Sequence, residues 1–373
     1  MGVSSRVERL RALMAKENHE VVVVMSPENT LYFAETYIMT QTAVRDRLAI
    51  MVIPIDKDPI LIGCSIETEN IEAETWIKDK RYYTEFVHNP VAVLANVLKE
   101  KGYENSKIGL ELSYLMVNYY QDLVSLLPKA EFLNCTHLFD KIRMIKDQKE
   151  LGILTRAAQS TLKMMLKALQ DTHPGDTEEM FASKVKTNML NDGAEAIAFF
   201  MIGTGKDTLM AHKVADKTIL QDGEICRIDW AGLYNPVYWS DVARTFIIGK
   251  EEPSMLNHIK NFAEVYYKTI DMMRPGVKPS ELFLFCKKQM EEKGLQFTPP
   301  HIGHSIGLIL HEFPMLSPKE DITLEENMVF NVEPACITPN GRKIHMEDLI
   351  QITATGYKVL SDPDFNPGPL YIK

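Results

Sequence analysis

The sequence predicts two domains: an α/β domain over residues 1–140, then an α+β domain over 141–373 built as a pseudo-two-fold repeat. Three observations carry this. The chain has 373 residues, more than one typical domain and enough for two sizeable cores. Through its first third, short apolar runs alternate with helical patterns, as α/β packing requires. The remainder reads twice as helix, helix, hairpin, with little residue identity between the two halves. Composition is 45% hydrophobic and 25% charged, which fits a globular chain and excludes a disordered one. A formal net charge of −10 argues against a nucleic-acid partner. The five cysteines, Cys64, Cys135, Cys226, Cys286 and Cys336, are odd in number, dispersed and without CxxC spacing. They suit free thiols in a reducing cytoplasm. The opening Met1–Leu10 has no signal-peptide apolar core, and the runs Val21–Met25 and Leu48–Ile55 are too short to span a membrane. A cytoplasmic protein without membrane partners is expected.

In chain order, Val7, Leu10, Leu13 and Met14 at helical spacing predict a helix from Ser5 to about Lys16. Strands follow at Val21–Met25, Leu48–Ile55 and Pro59–Ile62. Pro90 opens a helix to about Lys101, Lys107–Glu111 is a short strand, and Ser113–Leu127 is a helix. This first region holds no dense cluster of His, Cys or acids, so shape and partner contacts are expected from it rather than chemistry. The boundary falls near Leu138–Lys146. A long helix then runs to about Gln170 with Leu151, Leu154, Ala158, Leu162 and Met165 on one face. Its charged opening turn, Lys146–Glu150, reads as a solvated helix end. A helix at Thr177–Leu190, a strand at Ala196–Ile202 and a loop carrying His212 lead to the first hairpin. The pattern restarts with helices at Ser254–Met273 and Ser280–Lys293, a histidine-rich strand and the second hairpin.

The first hairpin runs from Cys226 to Phe246. Its β-branched and aromatic runs flank the turn dipeptide Asn235-Pro236. With the turn centred on Asn235, facing residues have numbers that sum to 470, and Asp229 faces Asp241. Facing Cβ atoms lie roughly 4.5–5.5 Å apart, where like charges repel. A cation between them removes the repulsion, and a divalent pair about 3.5–4 Å apart fits the spacing. Two solvated acids on an exposed strand face also account for the pair.

The second hairpin runs from Met328 to Ile350. Pro339-Asn340-Gly341 fits a three-residue loop with glycine in the left-handed position. Facing residues then sum to 680, and Glu333 faces Glu347. A two-residue Asn-Gly turn would instead move one glutamate to the other face, and Pro334 marks an edge or bulge. Two hairpins that each present an acid pair are harder to attribute to chance than one.

Between the second pair of helices and this hairpin lies P-P-H-I-G-H-S-I-G-L-I-L-H-E-F-P, residues 299–314. It holds three histidines among glycines that permit close backbone approach. On one straight strand His304 and His311 would point to opposite faces, unless Gly307 bends the chain.

With these residues in place, the chain resembles the creatinase/prolidase/methionine aminopeptidase superfamily, the pita-bread metallopeptidases, by motif over about residues 145–360. Ser26–Phe33 is similar to the entry segment of the N-terminal domain found on the proline-peptidase branch, so residues 1–140 are read as creatinase N-domain-like. The family's five metal ligands match Asp229 in I-D-W-A-G, Asp241 in S-D-V-A-R-T, His304 in G-H-S-I-G, Glu333 in N-V-E-P and Glu347 in M-E-D. Its two active-site histidines match His212 and His311. The chain departs from the pattern in five places, one of them Asp241-Val-Ala-Arg-Thr where the family has Asp-x-Thr-Arg-Thr. Asp229 and Asp241 are one residue further apart than usual. The family's Asp-x-Gly reads Asp229-Trp-Ala. The arginine of R-I-E-D is His345. The histidine that precedes the ligand histidine by four residues has no counterpart, although His301 lies three before it.

The resemblance implies a dinuclear-metal hydrolase that cleaves an Xaa-Pro peptide bond with a metal-bridging hydroxide. Four carboxylates and one imidazole suit Mn, Co, Fe or Zn, and the resemblance favours manganese. It gives Glu333 the role of base, and His212 and His311 the positioning of substrate. His345 is placed in substrate binding because the arginine there helps anchor a dipeptide's terminal carboxylate. His301 and the pair Tyr238-Trp239 also have structural explanations. The expected substrate is a small peptide or small amide, and a homodimer with one N-domain closing the partner's site is implied by resemblance. Two rivals stand beside this reading: a creatinase-like or other non-peptide C–N or amide hydrolase, and an inactive pita-bread binding module. The complete ligand set argues against both metal-free creatinase chemistry and an inactive module.

Overall fold

The strand Val21–Val24 (β1) is four valines in a row, all fully buried. A strand this apolar needs cover on both faces, so it belongs at the centre of a sheet. In the structure, a computed structural model describing residues 3–250, 252–362 and 369–373, it lies there. β1 pairs antiparallel with Ile50–Pro54 (β2), which pairs with Ile60–Cys64 (β3), and parallel with Lys107–Leu110 (β5). Asp79–Tyr83 (β4) and Glu131–Asn134 (β6) close the two edges in the order β4-β3-β2-β1-β5-β6. Neither edge strand is expected from the sequence. Each carries only two apolar or aromatic residues and is partly exposed, because an edge strand has less surface to hide. The helices Val3–Glu17, Pro90–Glu100 and Val117–Leu126 lie within a residue or a few of expectation.

One buried acid ties this first unit together. The carboxylate of Glu111, beyond the end of β5, accepts N–H bonds from Met25 (2.8 Å) and Ser26 (2.9 Å) and an amide bond from Asn29 (2.7 Å). Ser26 in turn caps the helix Pro27–Ala34. Burial raises the Glu111 carboxyl, and those same bonds pull it back down.

The chain divides into compact units Met1–Arg143 and Met144–Lys373, and a helix, Thr136–Met144, runs through the expected boundary. The second unit opens on the helix Gln148–Gln170. Its first turn is not a solvated end. Asp147 and Glu150 form a reciprocal capping box and are 4% and 3% exposed. Lys146 is buried too and bonds Ser305 (2.8 Å) and Glu312 (3.1 Å). Burial of charged side chains here follows from their pairing. The helix Glu178–Asn191 comes next. Then Ala196–Thr204 (β7), Ile225–Tyr234 (β8) and Tyr238–Ile248 (β9) form an antiparallel sheet, with Leu370–Ile372 (β18) parallel to β9. Trp230 stacks on Phe200 at 4.3 Å between this sheet and the helices.

The second run begins with helices Pro253–Asp271 and Pro279–Glu292, each with proline at its first turn. The strands after them are Gln296–Phe297 (β10), Gly303–Ser305 (β11), Glu312–Met315 (β12), Val329–Val332 (β13), Ala335–Ile337 (β14), Lys343–His345 (β15), Asp348–Ile352 (β16) and Tyr357–Val359 (β17). They form two sheets, β10-β14-β15 and β12-β11-β13-β16-β17. Among the described residues no helix is long and apolar enough to cross a membrane, and all five cysteines are free and buried.

Candidate metal centre

Asp229 and Asp241 are presented by the β8–β9 hairpin, but not directly opposite one another. Asp229 faces Ala243 and Asp241 faces Ala231, so paired numbers sum to 472. The loop is Asn235–Val237, with a cis Asn235–Pro236 bond and Asn235 at φ 49. Its centre is Pro236, one residue beyond the expected centre. A shift of two in the sum keeps both aspartates on one face, because strand side chains alternate with period two. They sit diagonally on it.

The second hairpin has the expected register. Paired numbers sum to 680 both in β13–β16 and in β14–β15. Gly341 is left-handed at φ 72, and its N–H bonds Thr338 at 2.9 Å. Glu333 and Glu347 fall where the hairpin passes from one sheet to the other. Pro334, which has no N–H to give, follows Glu333. At this break the Glu333 N–H bonds Ile302 (2.8 Å) and the Glu347 N–H bonds Ala243 (3.0 Å). Both glutamates leave the ladder and turn to neighbouring strands.

The rest of the D-V-A-R-T motif holds these pieces in register. Arg244 pairs with Asp348 at 2.6 Å, and Asp348 accepts the Tyr266 hydroxyl at 2.9 Å. Thr245 exchanges two bonds with the backbone of His345, at 2.9 and 3.0 Å. Asn331, two residues before Glu333, donates to Glu347 (2.7 Å) and to the Asp241 carbonyl (3.1 Å).

His304 and His311 are not on one strand. The chain leaves β11 after Ser305 and returns as β12, so the alternation rule does not apply. Their rings stack at 3.8 Å. His304 is fully buried, and its Nδ1 lies 3.0 Å from the Ser305 carbonyl. That contact makes Nδ1 the donor and leaves the Nε2 lone pair aimed at the acids. Nε2 stands 3.4 Å from Glu333, 3.9 Å from Asp241 and 4.0 Å from Glu347. These gaps are long for hydrogen bonds. They suit atoms that share an ion, since two ligands each about 2.0–2.2 Å from one centre lie roughly 3–4 Å apart.

Three sets of donor atoms lie within 4.8 Å of one another: Asp241, His304 and Glu347; His304, His311 and Glu333; Glu333, His345 and Glu347. Oxygens of Asp241, Glu333 and Glu347 and nitrogens of His301, His304 and His345 are buried with no hydrogen-bond partner among the described residues. Such orphaned donors and acceptors are costly unless something binds there. Burial first, then the negative charge of Asp229, raises Glu333 to about 8. Burial and mutual repulsion hold Asp241 and Glu347 well above the carboxylate range. Burial lifts Asp229 despite Arg227. Burial, and then His311, lowers His304 to about 3. Four acids that resist ionising beside a neutral imidazole match the charge and ligand demands of divalent cations.

The other expected residues fall around this core. His311 and His212 are exposed, and His212 meets Phe199 edge-on at 6.0 Å. His301 stands 3.4 Å from Glu333. His345 is 4% exposed, between Asp229 (3.7 Å) and Glu333 (3.6 Å). Arg342 pairs instead with Glu224 at 2.5 Å. Sequence reasoning missed Arg227, Asn331 and Lys343. Each is two residues in sequence from a site residue, and Arg227 and Lys343 share a strand with theirs, so period-two spacing marks those two for inspection.

Residues 152–354, more than half of the chain, match metallopeptidase family M24, and residues 6–145 match the creatinase/prolidase N-terminal domain. The chain is 26% identical over 367 residues to an Xaa-Pro dipeptidase of Pyrococcus furiosus, covering 96% of this chain and 98% of that one. It is 25% identical over 356 residues to an Xaa-Pro dipeptidase of Lactobacillus delbrueckii, covering 94% and 95%. Among solved structures it is similar to the prolidase from Pyrococcus horikoshii, with TM-score 0.84 and 25% identity over 96% of this chain and 99% of that one. An Xaa-Pro dipeptidase from Bacillus anthracis shares the fold at TM-score 0.89 and 23% identity, over 99% of each chain. The second unit has the pita-bread fold of these neighbours, and the chain is a member of metallopeptidase family M24 that carries a creatinase/prolidase N-terminal domain.

Proposed function

We propose that this metallopeptidase holds two divalent ions and hydrolyses small peptides of the Xaa-Pro type. The observation that supports it is the convergence of Asp241, His304, Glu333 and Glu347, each acid with an unpartnered oxygen and the imidazole with an unpartnered nitrogen; Asp229 joins them through His345, which stands 3.7 Å from Asp229 and 3.6 Å from Glu333. Four carboxylates balance the charge of two divalent ions, and Mn, Co, Fe and Zn all accept this oxygen-rich set. The ions, when bound, supply Lewis-acid polarisation of a carbonyl and a water made acidic enough to attack at neutral pH. Glu333 takes the water's proton and passes it to the leaving amine. His311, exposed and stacked on His304, and the exposed His212 orient the scissile carbonyl. Asn331 fixes Glu347 so that one oxygen stays free. The names of the relatives carry the Xaa-Pro preference; the site carries the hydrolysis.

The test is metal analysis after manganese loading, followed by hydrolysis of a small Xaa-Pro panel. Two ions per chain with turnover of Xaa-Pro bonds supports the reading. A loaded protein that binds no manganese sinks the metal centre. Two bound ions with cleavage of simple amides, and of no Xaa-Pro bond, turns the chain into an amide hydrolase.

A further inference from the structure

Arg227 is a fully buried guanidinium that the catalytic roles above leave unused. It is 1% exposed and lies on β8 two residues before Asp229, on the same strand face. Its Nε donates to the Thr208 carbonyl (3.2 Å), and one terminal nitrogen donates to the carbonyls of Met210 (2.7 Å) and Ala211 (3.0 Å). Those carbonyls belong to the 3-10 helix Gly205–Leu209 and the two residues after it, which lead directly into His212. The other terminal nitrogen stands 3.7 Å from Asp229 Oδ2, and His345 Nδ1 stands 3.7 Å from that same oxygen. On the far side of His212 the chain is held again. Lys213, 9% exposed, bonds Glu178 and lies 3.2 Å from Asp216. His212 is thus an exposed ring on a segment held by two buried cations. Only one of them, Arg227, also faces a metal-ligand candidate.

We infer that Arg227 is a positioning residue that locks the His212 segment and the Asp229 carboxylate into one arrangement. This rests on reading Asp229 as a metal ligand. A guanidinium presents five N–H groups in a fixed planar fork and keeps its charge at any working pH, so one side chain can grip three carbonyls and a carboxylate together. Lysine brings a point charge and three donors, and cannot hold all four. Outer partners of metal ligands commonly change affinity by about 10–100-fold when removed. Arg227 should do that, and should also misplace His212.

The experiment uses the full chain as Arg227→Lys, Arg227→Met, Lys213→Met and the double variant Arg227→Met/His345→Arg. Three readouts are taken: manganese affinity by titration, visible absorption of the cobalt-loaded protein as a report of ligand geometry, and kcat and KM separately. Both Arg227 variants should bind manganese about 10-fold or more weakly, shift the cobalt spectrum and lose kcat. Lys213→Met should lose turnover while affinity and spectrum stay at the parent values. In the double variant an arginine at 345 can reach the same Asp229 oxygen, so affinity and spectrum should recover. Turnover should not, because the three carbonyls remain unheld. Should Arg227→Met fail to fold, Arg227→Lys decides. Parent-like affinity, spectrum and kcat in the Arg227 variants overturn the inference while leaving the metal centre standing. A parent protein that binds no manganese removes both.

Discussion

Two kinds of buried carboxylate exist in this molecule. Glu111 in the first unit is buried and satisfied: two backbone N–H groups and one side-chain amide occupy its oxygens. Asp241 and Glu347 in the second unit are buried and Glu333 is half-buried, and all three are unsatisfied, with at least one oxygen each left unpartnered among the described residues. The same residue chemistry gives opposite results because of what surrounds it. Glu111 meets donors, so its burial organises a strand end and a helix start. The other acids meet mainly each other, so their burial costs stability until cations enter. A buried acid is a structural element when its lone pairs are filled by the chain, and a binding element when they are not.

The largest expected effect is on turnover. Glu333→Gln keeps size and removes charge, and should lower kcat about 10³-fold while the circular dichroism spectrum is unchanged, within the usual span of general-base catalysis. An active variant would move the base elsewhere. Next comes Asp241→Asn, which should weaken manganese binding by more than about 100-fold, beyond the cost of losing an outer partner. The same variant should melt at a higher temperature than the parent when both are stripped by chelator, since one repelling charge is gone. A metal-free variant less stable than the parent would place Asp241 in the class of Glu111.

The contrast also has a pH signature. Glu333 is raised from 4.5 to about 8 in the folded chain. Between those values the native state keeps a proton that the unfolded chain has lost, so stability falls as pH rises through that window. Below pH 4.5 both states are protonated and the penalty is absent. Asp241 and Glu347 are shifted in the same direction and add to the slope. Metal-free protein should therefore melt at lower temperature as pH rises from 5 to 8, and saturating manganese should flatten the trend by binding the native state. A metal-free slope of the opposite sign would contradict the unsatisfied cluster.

The satisfied acid should behave differently. Glu111→Gln exchanges an acceptor for a donor facing two N–H groups and should cost about 1–3 kcal/mol of stability. Manganese content of the folded protein should not change. The smallest effect concerns the substrate end. His345 is buried between Asp229 and Glu333, so it brings no charge to a dipeptide's terminal carboxylate. Xaa-Pro amides should be cleaved at pH 8 within a few-fold of the free acids. A strong preference for the acid would direct attention to Lys343, half-buried on the same face of β15.

Much of the site is legible in the chain because its chemistry is carried by short motifs. The acid pairs, their faces and the Glu333–Glu347 register follow from period-two spacing and a recognisable glycine turn. What escapes has physical reasons. The first hairpin's register depends on where the loop through Pro236 centres, and Asn235-Pro236 does not disclose it. His304 and His311 converge because the chain doubles back between them, which alternation on one strand does not anticipate. β4 and β6 are short edges, each with only two apolar or aromatic residues, too few to mark a strand. Arg227 escapes because its partners are mostly backbone carbonyls, which leave no mark in sequence. The charged turn at Asp147–Glu150 looks solvated until its mutual capping is seen.

The passage of the second hairpin from one sheet to another, with a glutamate at each crossing point, bears on the life history of the polypeptide. Asp241 takes its neighbours from a strand about a hundred residues downstream, and Glu347 bonds back to Ala243. No fragment that contains only one hairpin can assemble the ligand set. A chain still being synthesised is therefore expected to cut no peptide until both hairpins have been made and joined.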